Sequence, residues 1–444
     1  MSDGSADGAN GDSDMPAGSV PAFSPLRTDL TPIVEAVEAA GAAAFVAVGD
    51  RFDDDLRYLT RFAGPDRPYA LVVVPEANTE SEGRPDADRD GADIGRAVCC
   101  APALFGEQAN REFVDGAVVH DRVVREVRTA GVGDHAGKRA AAVVAELLGD
   151  AGGSESDRTL LVPSSIPHDA AVYLERAGHE LASTDAVATA RARKTDAELD
   201  RLRRVQRATA TGMARAETVL ATSEVAEDEA GDPAVRWEGE PLTTERLRRA
   251  VNAILAAHGV RDAGNTVIGA GPSAADLHFV GDEPILRGET VLLDISPRGP
   301  DGYYGDMTRT FVVDGDGGWE RRAYVAVEAA REAALAEIEP GVPAKTVHGE
   351  AAAELAAYGF DPNADEGGTG FTHGTGHGVG VSLHESPSLS GAGELRPGHV
   401  VTIEPGVYDP NVGGVRLEDL VVVTEDGYEI LATYPFGIVP EKRE

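Results

Sequence analysis

Lysine is nearly missing from this chain. Lys138, Lys194, Lys345 and Lys442 are the only four, so arginine supplies almost all of the 40 positive charges set against 76 acids. The formal charge of -36 argues against a nucleic-acid binder and against attachment to anionic membranes, because such a surface repels both. Cysteine is as scarce. Cys99 and Cys100 stand side by side and alone, which excludes a disulfide framework and a Cys-x-x-Cys metal site and leaves two thiols in a reducing compartment. No run of eighteen apolar residues is present, and the N-terminus has neither a basic flank nor an apolar signal core. A soluble, cytoplasmic protein is expected.

The acids are spread along the whole chain rather than gathered into one block. A partner-binding acidic patch would be local. A dispersed excess resembles the proteins of salt-in halophiles, whose self-repulsion is quieted when molar salt shortens the Debye length to about 3 Å.

Residues 1 to about 25 are Gly, Ser, Ala, Asp and Asn with few apolar anchors, and disorder is expected there. A helix from Leu30 to Gly41, strands over 44–48, 70–74 and 160–162, an acidic loop over 77–93 and a helix near 135–148 give an α/β alternation. Thr195-Asp196-Ala197-Glu198 is a capping box, and Leu199, Leu202, Val205, Met213, Ala216 and Leu220 recur after it at helical spacing. The domain boundary is therefore set at residue 193, with one domain over 26–192 and another over 193–444. In the second, an acidic insertion with Trp237 spans 223–240. A helix over 243–257 stops at Gly259, and two more helices cover 319–338 and 344–358. Helices followed by strands occur twice, which suggests a pseudo-twofold α+β domain.

The chemistry concentrates in the last third. Val291 to Asp294 is an apolar run ending in an acid, and after a Pro/Gly-rich turn the chain returns through Asp306 to Val313. This reads as a hairpin. Val400 to Glu404 and Val415 to Val423, with Glu418 between apolar residues, read as a second one. An acid in an apolar strand costs several kcal/mol to desolvate unless a cation or hydrogen bonds compensate. Four such acids in two matched hairpins point to metal. Between them, His373-Gly374-Thr375-Gly376-His377-Gly378-Val379-Gly380-Val381-Ser382-Leu383-His384-Glu385 packs three of the eleven histidines among glycines, a sign that ligand and substrate approach the backbone closely. Asp294, Asp306, His377, Glu404 and Glu418 offer only oxygen and nitrogen, suited to manganese, cobalt or zinc, and four carboxylates exceed what one ion needs. Two divalent ions are expected.

The His373–Glu385 segment resembles the signature of the proline-specific metallopeptidases, aminopeptidase P and prolidase, of the pita-bread superfamily. Asp294, Asp306 in Asp-Met-Thr-Arg-Thr, Glu404 in Thr-Ile-Glu-Pro-Gly and Glu418 in Val-Arg-Leu-Glu-Asp match its other segments in order. Leu383 departs mildly, and the two aspartates stand one residue further apart than usual. The N-terminal half resembles the creatinase-type domain of these enzymes. The resemblance implies that Asp306 and Glu418 bridge two ions, manganese first among the candidates, with Asp294 completing one and His377 with Glu404 the other. It implies Glu404 as proton shuttle, His384 and His278 as hydrogen-bond donors to substrate, and His373 in the proline-side pocket. Arg416, two residues before Glu418, is expected to brace a ligand carboxylate. His120, His135, His168, His179, His258, His348 and His399 carry no motif and are read as structural or exposed.

The expected activity is removal of the residue preceding proline from peptide N-termini by a homodimeric enzyme. A strict dipeptidase, the alternative, needs a cation for the free carboxylate of proline. Such prolidases carry an arginine soon after the residue equivalent to His384, where this chain has Pro387-Ser388-Leu389. A non-peptide substrate on the same fold is the third reading.

Overall fold

The computed structural model describes residues 24–79, 93–115, 122–130, 135–149, 158–227, 231–365 and 367–443. The disorder expected over the N-terminal residues and most of the acidic loop after Thr79 lie outside them.

The N-terminal half is a six-stranded sheet. Its strands are β1 (Ala44–Gly49), β2 (Tyr69–Pro75), β3 (Gly95–Pro102), β4 (Val123–Ala130), β5 (Thr159–Pro163) and β6 (Glu180–Thr184), in the order β4-β3-β2-β1-β5-β6. Pairing is antiparallel for β1 with β2 and for β2 with β3, and parallel elsewhere. Helices α1 (Thr31–Ala39), α2 (Asp54–Thr60), α3 (Gly106–Ala109), α4 (Ala136–Leu148), α5 (His168–Arg176) and α6 (Ala186–Ala192) complete it. Both faces of the sheet are covered, which explains why β1 and β2 are buried along their whole length. Strand alternation divides the adjacent cysteines: Cys99 packs with Val34 and Phe113 in one layer, and Cys100 with Val144 in the other. The layer holding Cys99 runs on into Leu202, Tyr303, Val400 and Leu420, so this core is shared with the C-terminal half.

That half opens with α7 (Asp196–Ala221), where Thr195 and Glu198 form the capping box. The acidic insertion over 223–240 is a small antiparallel meander of β7 (Glu224–Glu227), β8 (Pro233–Trp237) and β9 (Glu240–Pro241) rather than open loop. Then α8 (Thr244–Ala257) leads into the sheet β10 (Thr266–Ala270), β11 (Thr290–Ile295) and β12 (Met307–Val312). Apolar faces of α7 and α8 pack on this sheet through Val205, Met213, Val251, Ile268, Leu293 and Phe311. The order then repeats. Helices α9 (Trp319–Ala336) and α10 (Ala344–Ala357) cover β13 (Val400–Ile403), the hairpin β14 (Gly406–Asp409) with β15 (Gly413–Arg416), and β16 (Asp419–Val423), which β17 (Tyr428–Ile430) extends. The result is an α/β N-terminal half joined to a pita-bread C-terminal half.

The acids sit differently from the expected strand interiors. Only Asp294 lies within a strand, β11, opposite Thr308. Asp306 precedes β12, Glu404 follows β13, and Glu418 falls in the gap between β15 and β16. At the last two the backbone leaves the ladder: Glu404 N–H donates to Thr375 O (2.8 Å) and Glu418 N–H to Thr308 O (3.0 Å). A strand break frees each carboxylate from the pleat's alternation and turns it into the space between the two C-terminal sheets.

Candidate metal centre and active site

A cavity of about 380 Å³ opens between the two C-terminal sheets, lined by His278, Asp294, Asp306, His373, His377, His384, Glu404, Arg416 and Glu418. All nine residues singled out from the sequence therefore face one space. Asp306, His377 and Glu418 present ligand atoms within 4.8 Å of one another. His377 Nε2 also lies 3.4 Å from Glu404 Oε1 and 3.8 Å from Asp306 Oδ2. Ser296 Oγ links the aspartates, at 3.2 Å from Asp294 Oδ1 and 2.8 Å from Asp306 Oδ1.

His377 is held in the form a metal ligand needs. Its Nδ1 lies 3.1 Å from Gly378 O, an acceptor only, so Nδ1 carries the proton and Nε2 is turned to the carboxylates. The chain around it runs against β13: His377 N–H donates to Thr402 Oγ1 (3.0 Å) and Thr402 N–H to His377 O (2.9 Å). This packing accounts for the glycines. A Cβ on Gly376 would meet Thr402 O at 2.0 Å, and one on Gly378 would meet Ser386 O at 2.4 Å. Gly376 and Gly378 admit neighbouring backbone, and Gly374 and Gly376 also line the cavity.

Among the cavity-lining residues Arg416 is the one arginine or lysine beside four carboxylates. Asp306 and Glu418 are almost wholly buried. Burial first, then Glu418, Asp294 and Glu404, push Asp306 well above the usual carboxylate range. Burial with Glu404 and Asp294 does the same to Glu418. Burial raises Glu404 to about 7, with Arg416 opposing and Asp294 adding to the rise. Asp306, Glu404 and Glu418 are thus disfavoured as carboxylates unless positive charge beyond Arg416 compensates. The donor set and its charge surplus fit divalent metal, and that ion would hold these groups as carboxylates.

Arg416 Nη2 reaches Asp294 Oδ2 at 2.7 Å, Nε reaches Thr308 Oγ1 at 3.2 Å, and Nη1 donates to Tyr408 Oη at 2.9 Å. Thr308 Oγ1 donates in turn to Glu418 Oε2 (2.7 Å). Tyr408, which the sequence reading missed, also meets His373 Nε2 at 2.7 Å, while His373 Nδ1 sits 2.7 Å from Gly374 O. Since the carbonyl only accepts, Nδ1 donates, Nε2 accepts from Tyr408, and His373 is neutral. Burial, with Arg416 nearby, depresses His373 to about 3. His384 stacks edge-on to His377 at 4.2 Å between ring centroids, and burial, then His377, hold it below the ordinary histidine value. His348, read as structural, lies behind the site with Nδ1 at 2.9 Å from Thr375 Oγ1.

A model of metallopeptidase family M24 matches residues 200–425. The chain belongs to this family. It is 32% identical over 260 residues to the probable dipeptidase PepE of Mycobacterium tuberculosis, covering 58% of this chain and 63% of that protein. It is 36% identical over 207 residues to the Xaa-Pro dipeptidase of Pyrococcus horikoshii, covering 45% and 57%. The matched stretches thus span less than two thirds of these relatives. Among solved structures, the Xaa-Pro dipeptidase from Bacillus anthracis superposes with a TM-score of 0.73 over 93% of this chain and 98% of that one, at 20% identity. That likeness establishes the shared fold across both halves. Among the described residues no helix is long and apolar enough to cross a membrane.

Proposed function

We propose that this M24 family member hydrolyses the peptide bond between a residue and a following proline. The single observation that carries this is the convergence of four carboxylates and His377 in one cavity flanked by His278, His373 and His384. We further propose that Asp294, Asp306, His377, Glu404 and Glu418 hold two divalent ions, manganese foremost, and that the chain divides near residue 193 into a creatinase-like and a catalytic domain. When bound, such ions polarise a carbonyl and make water nucleophilic at neutral pH. Glu404 accepts a proton from the attacking water and returns one to the leaving nitrogen. His384 and His278 donate hydrogen bonds to the substrate carbonyl as it gains charge. His373 has both ring nitrogens engaged, so it shapes the proline side rather than donating to substrate. Arg416 orients Asp294.

Relatives named as dipeptidases support Xaa-Pro dipeptides as substrates at least as well as longer peptides. One feature of the cavity favours longer peptides: its lining arginine, Arg416, is already engaged by Asp294 and Tyr408, and Ser388 with Ser390 stands at the lining. A dipeptide's carboxylate then gains no bidentate cation, an interaction worth roughly 1.5–3 kcal/mol. The test compares kcat/KM for Ala-Pro and Ala-Pro-Ala with manganese, cobalt and zinc added in turn. Cleavage of both, with the tripeptide at least as good, supports the aminopeptidase reading. Cleavage of the dipeptide alone establishes the dipeptidase, and cleavage of neither rejects the proline-peptidase proposal.

A further inference from the structure

A second cavity, of about 290 Å³, lies between the two halves of the chain and shares no residue with the first. It is lined by arginines from separate elements: Arg27 before α1, Arg57 in α2, Arg61 at the end of α2, Arg111 in the turn Asn110–Val114, and Arg201 in α7. Five guanidiniums around one cavity run against the character of a chain whose formal charge is -36. Two of them are matched, Arg61 by Glu198 at 2.8 Å and Arg201 by Asp301 at 3.5 Å.

The other three form no ion pair among the described residues. Arg57 donates to the carbonyls of Pro300 (2.9 Å) and Asp301 (3.4 Å), and Arg27 to that of Leu26 (3.2 Å). Two acids share the lining, and both are engaged: Asp301 lies beside Arg201, and Glu112 accepts from Ala63 N–H through Oε2 (2.7 Å) and from Gln108 Nε2 through Oε1 (3.0 Å). Arg57 is held in place by the turn that faces it. Gly302 has φ +96°, and a Cβ there would meet Arg57 Nε at 2.5 Å. Burial, then Arg298, lower the proton affinity of Arg57, with Tyr69 and Asp301 opposing, and burial, then Arg125, lower that of Arg27. Five guanidiniums therefore face two carboxylates in the lining, a surplus of positive charge.

We infer that this inter-half cavity binds a phosphoryl anion, either free phosphate or the phosphoryl end of a small metabolite, through Arg27, Arg57 and Arg111. A planar carboxylate is satisfied by one guanidinium fork, whereas a tetrahedral oxyanion with three or more acceptor oxygens can take donors from three directions. The volume exceeds what one phosphate fills, leaving space for a small attached group. All three arginines belong to the N-terminal half, and the bound anion would hold their separate elements together and stabilise the folded chain by mass action. This is independent of the peptidase proposal.

Equilibrium dialysis of the metal-loaded protein with radiolabelled inorganic phosphate, at constant ionic strength, tests it. One saturable equivalent is expected, weakened at least ~10-fold by Arg57→Gln and by Arg111→Gln, as loss of a charge-assisted partner predicts. Arg111 is exposed, so Arg111→Gln keeps the test open even if Arg57→Gln fails to fold. Competition separates the sources: displacement by a nucleoside monophosphate at lower concentration than by unlabelled phosphate identifies a phosphorylated metabolite, and the reverse identifies free phosphate. No saturable binding at millimolar phosphate overturns the proposal. So does binding that both variants retain in full, since the anion would then sit elsewhere, as at the metal centre. Peptidase activity of Arg111→Gln is expected to be unchanged.

Discussion

Arg416 Nη2 stands 2.7 Å from Asp294 Oδ2, which makes the buried guanidinium a brace for the one acid that lies within a strand. Burial disfavours its charge, but Tyr408, Asp294 and the two glutamates outweigh that and keep it firmly cationic. Arg416→Lys keeps a charge but not the fork that reaches Asp294, Thr308 and Tyr408 together. It is expected to weaken metal retention by about 10–100-fold, as loss of an orienting partner does. Titration of the metal-free variant with manganese checks this, and unchanged affinity would remove Arg416 from that role.

Glu418→Gln separates binding from folding. Without metal the cluster suffers like-charge repulsion and desolvation, so the amide is expected to raise the melting point of the chelator-treated protein. The same change is expected to lower metal content and abolish turnover, because a ligand is lost. Melts with and without chelator, alongside metal analysis, show whether the two effects move in opposite directions. A drop in both conditions would mean that Glu418 serves packing.

His399 gives a pH dependence away from the metal. It is buried, its Nδ1 accepts from Arg396 N–H (3.2 Å), and burial with Lys194, Arg193 and Arg396 lowers it to about 4. The unfolded chain takes up this proton near pH 6.5 and the folded one only near 4. The stability His399 supports is therefore full above 6.5 and is lost as pH falls from 6.5 towards 4. The denaturant midpoint of the wild type is expected to fall more steeply over that window than that of His399→Gln. Parallel slopes would assign the acid sensitivity elsewhere.

Salt supplies a global test. With a formal charge of -36 and four lysines, the melting point is expected to climb steadily from dilute buffer to molar potassium chloride as screening grows. A flat or falling series would reject the halophilic reading.

The site was more legible in the sequence than its surroundings. Asp294, Asp306, His377, Glu404 and Glu418 stand in short segments with distinctive neighbours, and chemistry restricts residue choice there. Tyr408 was not legible. Its role depends on Oη meeting His373 and Arg416, a tertiary fact that a Val-Tyr pair after Pro-Gly does not signal. The strand break at Glu418 was hidden for a related reason: the apolar run resumes from Leu420 to Val423, and the Glu418 N–H leaves the ladder only through its bond to Thr308. In the N-terminal half β4 was missed because Arg125, Glu126 and Arg128 mask its period of two. The cavity of arginines left no local motif, since its members are drawn from distant stretches of chain.

The placement of Cys99 and Cys100 in opposite layers of one sheet gives the protein an internal clock. Their side chains leave β3 in opposite directions, so neither can cap the other, and burial raises both thiols, Cys100 to about 11. An alkylating reagent must wait for the sheet to open. Under conditions where closing outruns labelling, the two modification rates report the same opening free energy if the sheet opens as one unit. A large gap between them would reveal that one layer peels away before the other.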